Sequence, residues 1–217
     1  MSEQEFDQLR RAMVSNQLRT NKVTDAAVLK AMGAAPRERF VDEGQAALAY
    51  RDTIVPIGEG RGLNPPIATG RLLDAAAPQP GEHVLVVGAG TGYTAALLAE
   101  IGCKVTALEE SKDLASRAQT ALGDLPNVTL VHGRLNEGWP AAAPYALVYI
   151  DGGVERLPQT IIQQVADGGR LVGAVVDCGI SRLVLGRRAG GAFAYNAFAD
   201  VETAPLPGFA PETAFTF

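Results

Sequence analysis

Val84-Leu85-Val86-Val87-Gly88-Ala89-Gly90-Thr91-Gly92 is the stretch that decides the fold of this chain. Its unbroken apolar run reads as a strand buried on both faces, the mark of a parallel sheet. The glycines then permit a tight turn in which backbone approaches a ligand that a Cβ would exclude. Tyr93–Ala99 continues as a helix whose N-terminal amides point back toward that turn. Lys104–Leu108 gives the next strand, and Glu109 stands at its C-terminal end, where a carboxylate accepts both hydroxyls of a ribose. The arrangement points to a nucleoside cofactor; the competing reading is a glycine-rich turn that binds nothing.

Glycine spacing selects among nucleosides. A dinucleotide fingerprint is G-x-G-x-x-G, and its third glycine position is Tyr93 here. The pattern present, G-x-G-x-G, resembles motif I of the class I S-adenosylmethionine-dependent methyltransferases. A nicotinamide oxidoreductase is the disfavoured alternative.

Composition sets the outer bounds. The length of 217 residues is that of one domain. A hydrophobic content of 47% with 20% charged residues is ordinary for a chain that buries a real core. A net charge of −5 argues against a general nucleic-acid-binding surface. Arg10, Arg11, Arg19, Arg37 and Arg39 read as solvated helix faces. No apolar run is long enough to span a bilayer, and residues 1–20 are too charged for a signal peptide. A cytoplasmic protein is therefore expected, without membrane or nucleic-acid partners. Cys103 and Cys178 read as buried free thiols, and His83 and His132 as strand-edge residues, so no metal site is expected.

Residues 4–19 and 25–33 read as helices, the second capped by Thr24 and carrying Val28, Leu29 and Met32 on one face. Pro56, Pro65, Pro66 and the surrounding glycines mark residues 47–67 as a shaped loop. A helix over 67–76 follows. The rhythm thereafter is strand 83–87, helix 92–101, strand 104–108, helix 111–122, strands 128–131 and 145–150, helix 157–166 and strand 170–176. Such alternation implies right-handed crossovers and a mainly parallel sheet. Arg182–Arg188 and Ala192–Phe198, separated by Ala189-Gly190-Gly191, add an antiparallel hairpin. The expected unit is a single domain over 1–217, with 1–76 as a helical cap and site loop and 77–217 as the sheet.

Taken in order, several stretches resemble the protein-L-isoaspartate O-methyltransferases, which methylate the abnormal carboxylate of isoaspartyl residues in damaged proteins. They are Met13-Val14 with Gln17-Leu18, Val28-Leu29 with Ala31-Met32, Pro36–Val41, Ala49-Tyr50 with Asp52, Pro56–Gly58, Gly88–Tyr93, Glu109, Gly138–Pro140, Ala143–Tyr145 and Gly168–Val172. The resemblance covers nearly the whole chain. It implies an α/β, Rossmann-like class I methyltransferase fold: a mainly parallel central sheet, helices on both faces, antiparallel C-terminal strands and an N-terminal helical cap. It also implies S-adenosyl-L-methionine held by Gly88, Ala89, Gly90, Thr91, Gly92, Glu109 and backbone near Leu135, and a protein or peptide substrate bearing an abnormal carboxylate.

The chain departs from the family pattern where the chemistry belongs. The family's loop Gly-Gln-Thr-Ile-Ser-Gln-Pro is here Gly60–Pro66, with Gly62 at the threonine and Asn64 at the serine. Arg134 and Leu135 replace the Asp-Gly that receives the adenine amino group, and Ala146 replaces an aspartate. A carboxylate nucleophile, with a reference pKa of about 4, is already ionised at neutral pH and needs no general base. Asn64 is therefore a candidate to position it through an amide N–H, the other reading being a turn residue before Pro65. Arg61 is the second candidate, as a bidentate carboxylate grip or a solvated loop residue. Repair methylation leads; the alternatives are another methyl acceptor, or a cofactor-binding homologue that has lost turnover.

Overall fold

The computed structural model describes residues 1–123 and 125–209; the last residues of the expected unit, 210–217, lie outside the described residues. The chain opens with α1 (Glu3–Ala12), a π-helical segment Met13–Leu18 and α2 (Ala26–Ala34). A short hairpin, β1 (Val55–Gly58) and β2 (Arg61–Leu63), leads into α3 (Pro66–Ala76). Then come β3 (His83–Val87), α4 (Tyr93–Ile101), β4 (Lys104–Glu109), α5 (Lys112–Leu122) and β5 (Val128–His132). The chain continues through β6 (Tyr145–Val154), α6 (Gln159–Ile162), β7 (Val165–Asp177), β8 (Ile180–Ala189) and β9 (Ala192–Asp200).

Among the described residues the main sheet has seven strands in the order β5-β4-β3-β6-β7-β8-β9. Pairing is parallel from β5 through β7 and antiparallel through β7, β8 and β9, as the alternating pattern predicts. β3 explains why its sequence is apolar without interruption. Val84 and Val86 enter one core, with residues of α2, α3, α4 and α5, while Leu85 and Val87 enter a second core on the opposite face. The first core takes in residues from Met13 to Leu183, so the N-terminal helices pack into the sheet's own interior.

Local departures have physical causes. Asp25, not Thr24, caps α2: its Oδ1 accepts from the Ala27 and Val28 amides at 2.8 and 3.0 Å. The Thr24 amide turns instead to Asp74. The expected loop 47–67 contains the β1–β2 hairpin, whose strands are too short and too rich in proline and glycine to show a period. The expected helix 157–166 is only one turn, α6, because Gln164 is drawn into the sheet. Its carbonyl accepts the Tyr145 amide at 2.8 Å, and its side chain joins Trp139 N, Glu137 O and Thr160 O.

Two arginines assigned to solvent are buried. Arg10 reaches Asp7, Glu38 and the Tyr50 hydroxyl, and Arg37 is fully enclosed; Arg11, Arg19 and Arg39 are exposed. Cys103 is buried as expected, but Cys178 is exposed in the β7–β8 turn. His83 and His132 open β3 and close β5.

Candidate cofactor and acceptor site

The site follows from the topology. β3 leads through α4 to β4 on one side, whereas β6 leads through α6 to β7 on the other. The loops leaving β3 and β6 therefore diverge, and open α/β sheets bind ligands in such a crevice at the strands' C-terminal ends. Val87 and Ile150 are the last register partners of the β3–β6 pair. Gly88 and Asp151 follow them directly, and Glu109 ends β4 next door.

The glycine turn is closed by its own hydrogen bonds. The Gly88 and Ala89 amides donate to Leu108 O at 3.0 and 2.9 Å, and Gly92 N to Ala89 O at 2.8 Å. Gly90 N donates to Glu109 Oε2 at 2.7 Å. These amides are thus committed, which suits a ligand without a pyrophosphate. Gly88 and Gly90 have φ of 80° and 57°, the left-handed region that glycine enters freely. The Thr91 hydroxyl turns away to Phe40 O at 2.5 Å.

Glu109 is wholly enclosed and saturated. Oε1 accepts from Glu110 N at 2.9 Å, Ser111 N at 3.0 Å and Arg61 Nη1 at 3.1 Å. Oε2 accepts from Gly90 N and, at 3.3 Å, from the same Arg61 nitrogen. Arg61 Nη2 donates onward to Gly88 O at 3.0 Å. Arg61 is therefore neither a solvated loop residue nor a free carboxylate grip; the hairpin delivers it into the crevice.

Asn64 is likewise engaged. Its Nδ2 donates to Asp151 Oδ1 at 2.7 Å, and its Oδ1 accepts Ala204 N at 2.8 Å. Burial pushes the Asp151 carboxyl above the ordinary aspartate range, against the opposing hydrogen bonds of Thr94 and Asn64 and the charges of Arg61 and Arg37. Arg37 fixes the loop from beneath: it donates to Ala49 O and Asn64 O, with its guanidinium 4.7 Å from the Tyr93 ring centroid. Gly62 has no room for a side chain, since a Cβ there would overlap Cγ2 of Ile54 and stand 3.2 Å from Cβ of Ala204.

The segment after β9 forms a strap across the crevice. Gly153 N donates to Ala204 O at 2.7 Å and Leu206 N to Gly153 O at 2.9 Å. Leu206 covers the turn: a Cβ on Gly88 would lie 2.5 Å from its Cδ1. Arg134 leaves the site, its exposed side chain facing Glu137 at 3.5 Å, while Leu135 is buried in the second core with Leu108. Trp139 packs partly buried against that core, as a packing anchor. Sequence reading missed Asp151, Arg37 and Leu206. Asp151 did carry a signal, an acid closing the apolar run of β6 as Glu109 closes that of β4.

Comparison with known proteins gives the lineage. The model of the family described as protein-L-isoaspartate(D-aspartate) O-methyltransferase (PCMT) matches residues 8–207. The chain belongs to this family. Protein-L-isoaspartate O-methyltransferase 1 of Rhodopseudomonas palustris is 40% identical over 207 residues, covering 94% of this chain and 84% of the relative. The Methylorubrum populi protein-L-isoaspartate O-methyltransferase is 39% identical over 202 residues, covering 92% and 95%. A solved protein-L-isoaspartate O-methyltransferase superposes with a TM-score of 0.80 at 24% identity, over 92% of this chain and 66% of that one. A Plasmodium falciparum protein described as a beta-aspartate methyltransferase, solved with S-adenosyl-L-homocysteine, gives 0.75 at 20% identity, over 91% and 97%. These last two show the fold.

Protein-L-isoaspartate O-methyltransferases depend on S-adenosylmethionine, and the main-chain frame of this member fits that nucleoside. The turn places three positive-φ glycines at the switch point, and an enclosed carboxylate stands one strand away. The side chains of Arg61, Ile57 and Leu206 lie over that frame.

Proposed function

We propose that this chain is an S-adenosylmethionine-dependent methyltransferase of the isoaspartyl-repair type, acting as one unit over 1–217 on the abnormal carboxylate of a damaged protein or peptide. One observation carries the reading: Glu109 and the Gly88–Gly92 turn meet at the β3–β6 switch point of a chain matched to the family over residues 8–207. Gly88, Ala89, Gly90, Thr91 and Gly92 form the wall of the nucleoside site, Glu109 accepts its sugar hydroxyls, and Leu135 belongs to its adenine side. The bound cofactor supplies an electrophilic sulfonium methyl.

The protein's task is alignment and desolvation, because the acceptor carboxylate is ionised without help. Asn64 carries two amide hydrogens. One is spent on Asp151, which fixes the amide plane, and the other is the donor for the acceptor carboxylate. Arg61 cannot hold that carboxylate while it pairs with Glu109. Cytoplasmic location is part of the proposal; among the described residues no helix is long and apolar enough to cross a membrane.

The engagement of both polar atoms of Asn64 favours a second reading, in which the methyl acceptor is a different carboxylate, amine or small metabolite. Incubation with an isoaspartyl peptide and methyl-labelled cofactor separates the two. A base-labile methyl ester on the peptide is expected. Binding of S-adenosylhomocysteine without ester formation would transfer the assignment to another acceptor.

A further inference from the structure

The place that a ribose takes on Glu109 is held by the chain's own Arg61. A carboxylate offers about four lone-pair positions, and Glu109 already meets three backbone amides and the Arg61 guanidinium. The three amides belong to the turn and to the end of β4, so they cannot leave without unwinding the frame. Among the described residues Arg61 is the one donor to Glu109 on a side chain. Its Nη2 also lies where a ligand would approach Gly88, 3.0 Å from a Cβ built there.

We propose that Arg61 is an internal competitor for the nucleoside: a cofactor sugar reaches Glu109 only by displacing the guanidinium. This rests on the nucleoside reading of the crevice given above. The hairpin has the means for such a release. At its tip Gly58, Glu59 and Gly60 all have positive φ, and nothing lies within 4 Å of a Cβ built on Gly60. Its base is pinned, because Arg117 donates to Ile57 O and to Asp42, while Val55 and Ile57 are buried. Displacement is thus confined to the tip and the Arg61 side chain, and the guanidinium regains water when it leaves. The cost of breaking a buried, charge-assisted contact is subtracted from the cofactor's affinity. Arg61 in this role sets how tightly the chain holds its cofactor.

Calorimetric titration of the full chain with S-adenosylhomocysteine tests this in the wild type, Arg61→Ala and Arg61→Gln. Gln keeps the length of the stem should Ala perturb folding. At least tenfold tighter binding in either folded variant is expected, including the case where only the variants bind. Measurable wild-type binding that is unchanged or weakened in both variants would overturn the competition and leave the nucleoside reading standing. No binding in any of the three at millimolar ligand would overturn both.

Discussion

Asn64 and Asp151, 87 positions apart, meet at 2.7 Å between Nδ2 and Oδ1, while the other end of the Asn64 amide holds Ala204 N. One side chain thereby joins the hairpin exit, the end of β6 and the strap. Asn64→Ala strands two buried partners, each at a cost of about 1–3 kcal/mol. Urea denaturation is expected to show a loss of about 2–6 kcal/mol. A loss near zero would mean that the three segments are held together by other contacts.

The Asp151 carboxyl is held above its ordinary value of 3.8 by burial. The folded state therefore binds this proton more readily than the unfolded chain, so ionisation of Asp151 works against the fold as pH rises through the unfolded value toward the folded one. Asp151→Asn keeps an oxygen for Asn64 and removes the charge. Its melting temperature at pH 7 is expected to exceed the wild type by about 2–4 °C, with the gap closing toward pH 4. A constant gap across the pH series would contradict this origin.

Glu109→Gln replaces one acceptor oxygen by a donor. Gly90 N or the Glu110–Ser111 amide pair then loses its partner. We expect about 2–4 kcal/mol lower stability by denaturation. S-adenosylhomocysteine binding should be at least tenfold weaker than in Arg61→Ala alone when Glu109→Gln is added to that background, since one of the sugar's two acceptor oxygens has become a donor. Equal binding in the single and double variants would remove Glu109 from the site.

Thiol titration distinguishes the two cysteines. Cys178 lies exposed in a turn, whereas burial pushes the Cys103 thiol up to about 11. One fast-reacting thiol is expected in the native protein and a second only on unfolding. Replacing Cys178 with serine should abolish the fast phase, and two fast thiols would place Cys103 nearer the surface.

The strand at 83–87, its turn and helix, Glu109 and the terminal hairpin are legible in the chain because each is written in contiguous residues with a period or a glycine spacing. Helix 157–166 was not, because the Gln164 carbonyl is taken by Tyr145 of β6 and its side chain by Trp139, Glu137 and Thr160. Arg37 escaped for a related reason. Its burial depends on the Ala49 and Asn64 carbonyls, which no local window contains.

Apolar periodicity and backbone freedom act over a few neighbouring residues, so the parallel core, the turn at the switch point and the lineage can all be read along the chain. That Arg61 sits on Glu109, 48 positions away, and that Asn64 answers to Asp151 emerges from the folded chain alone. Those pairings depend on the path of a short hairpin and on how a late strap closes over it. Long-range charge and hydrogen-bond partners are set by packing, and packing leaves no period in the chain.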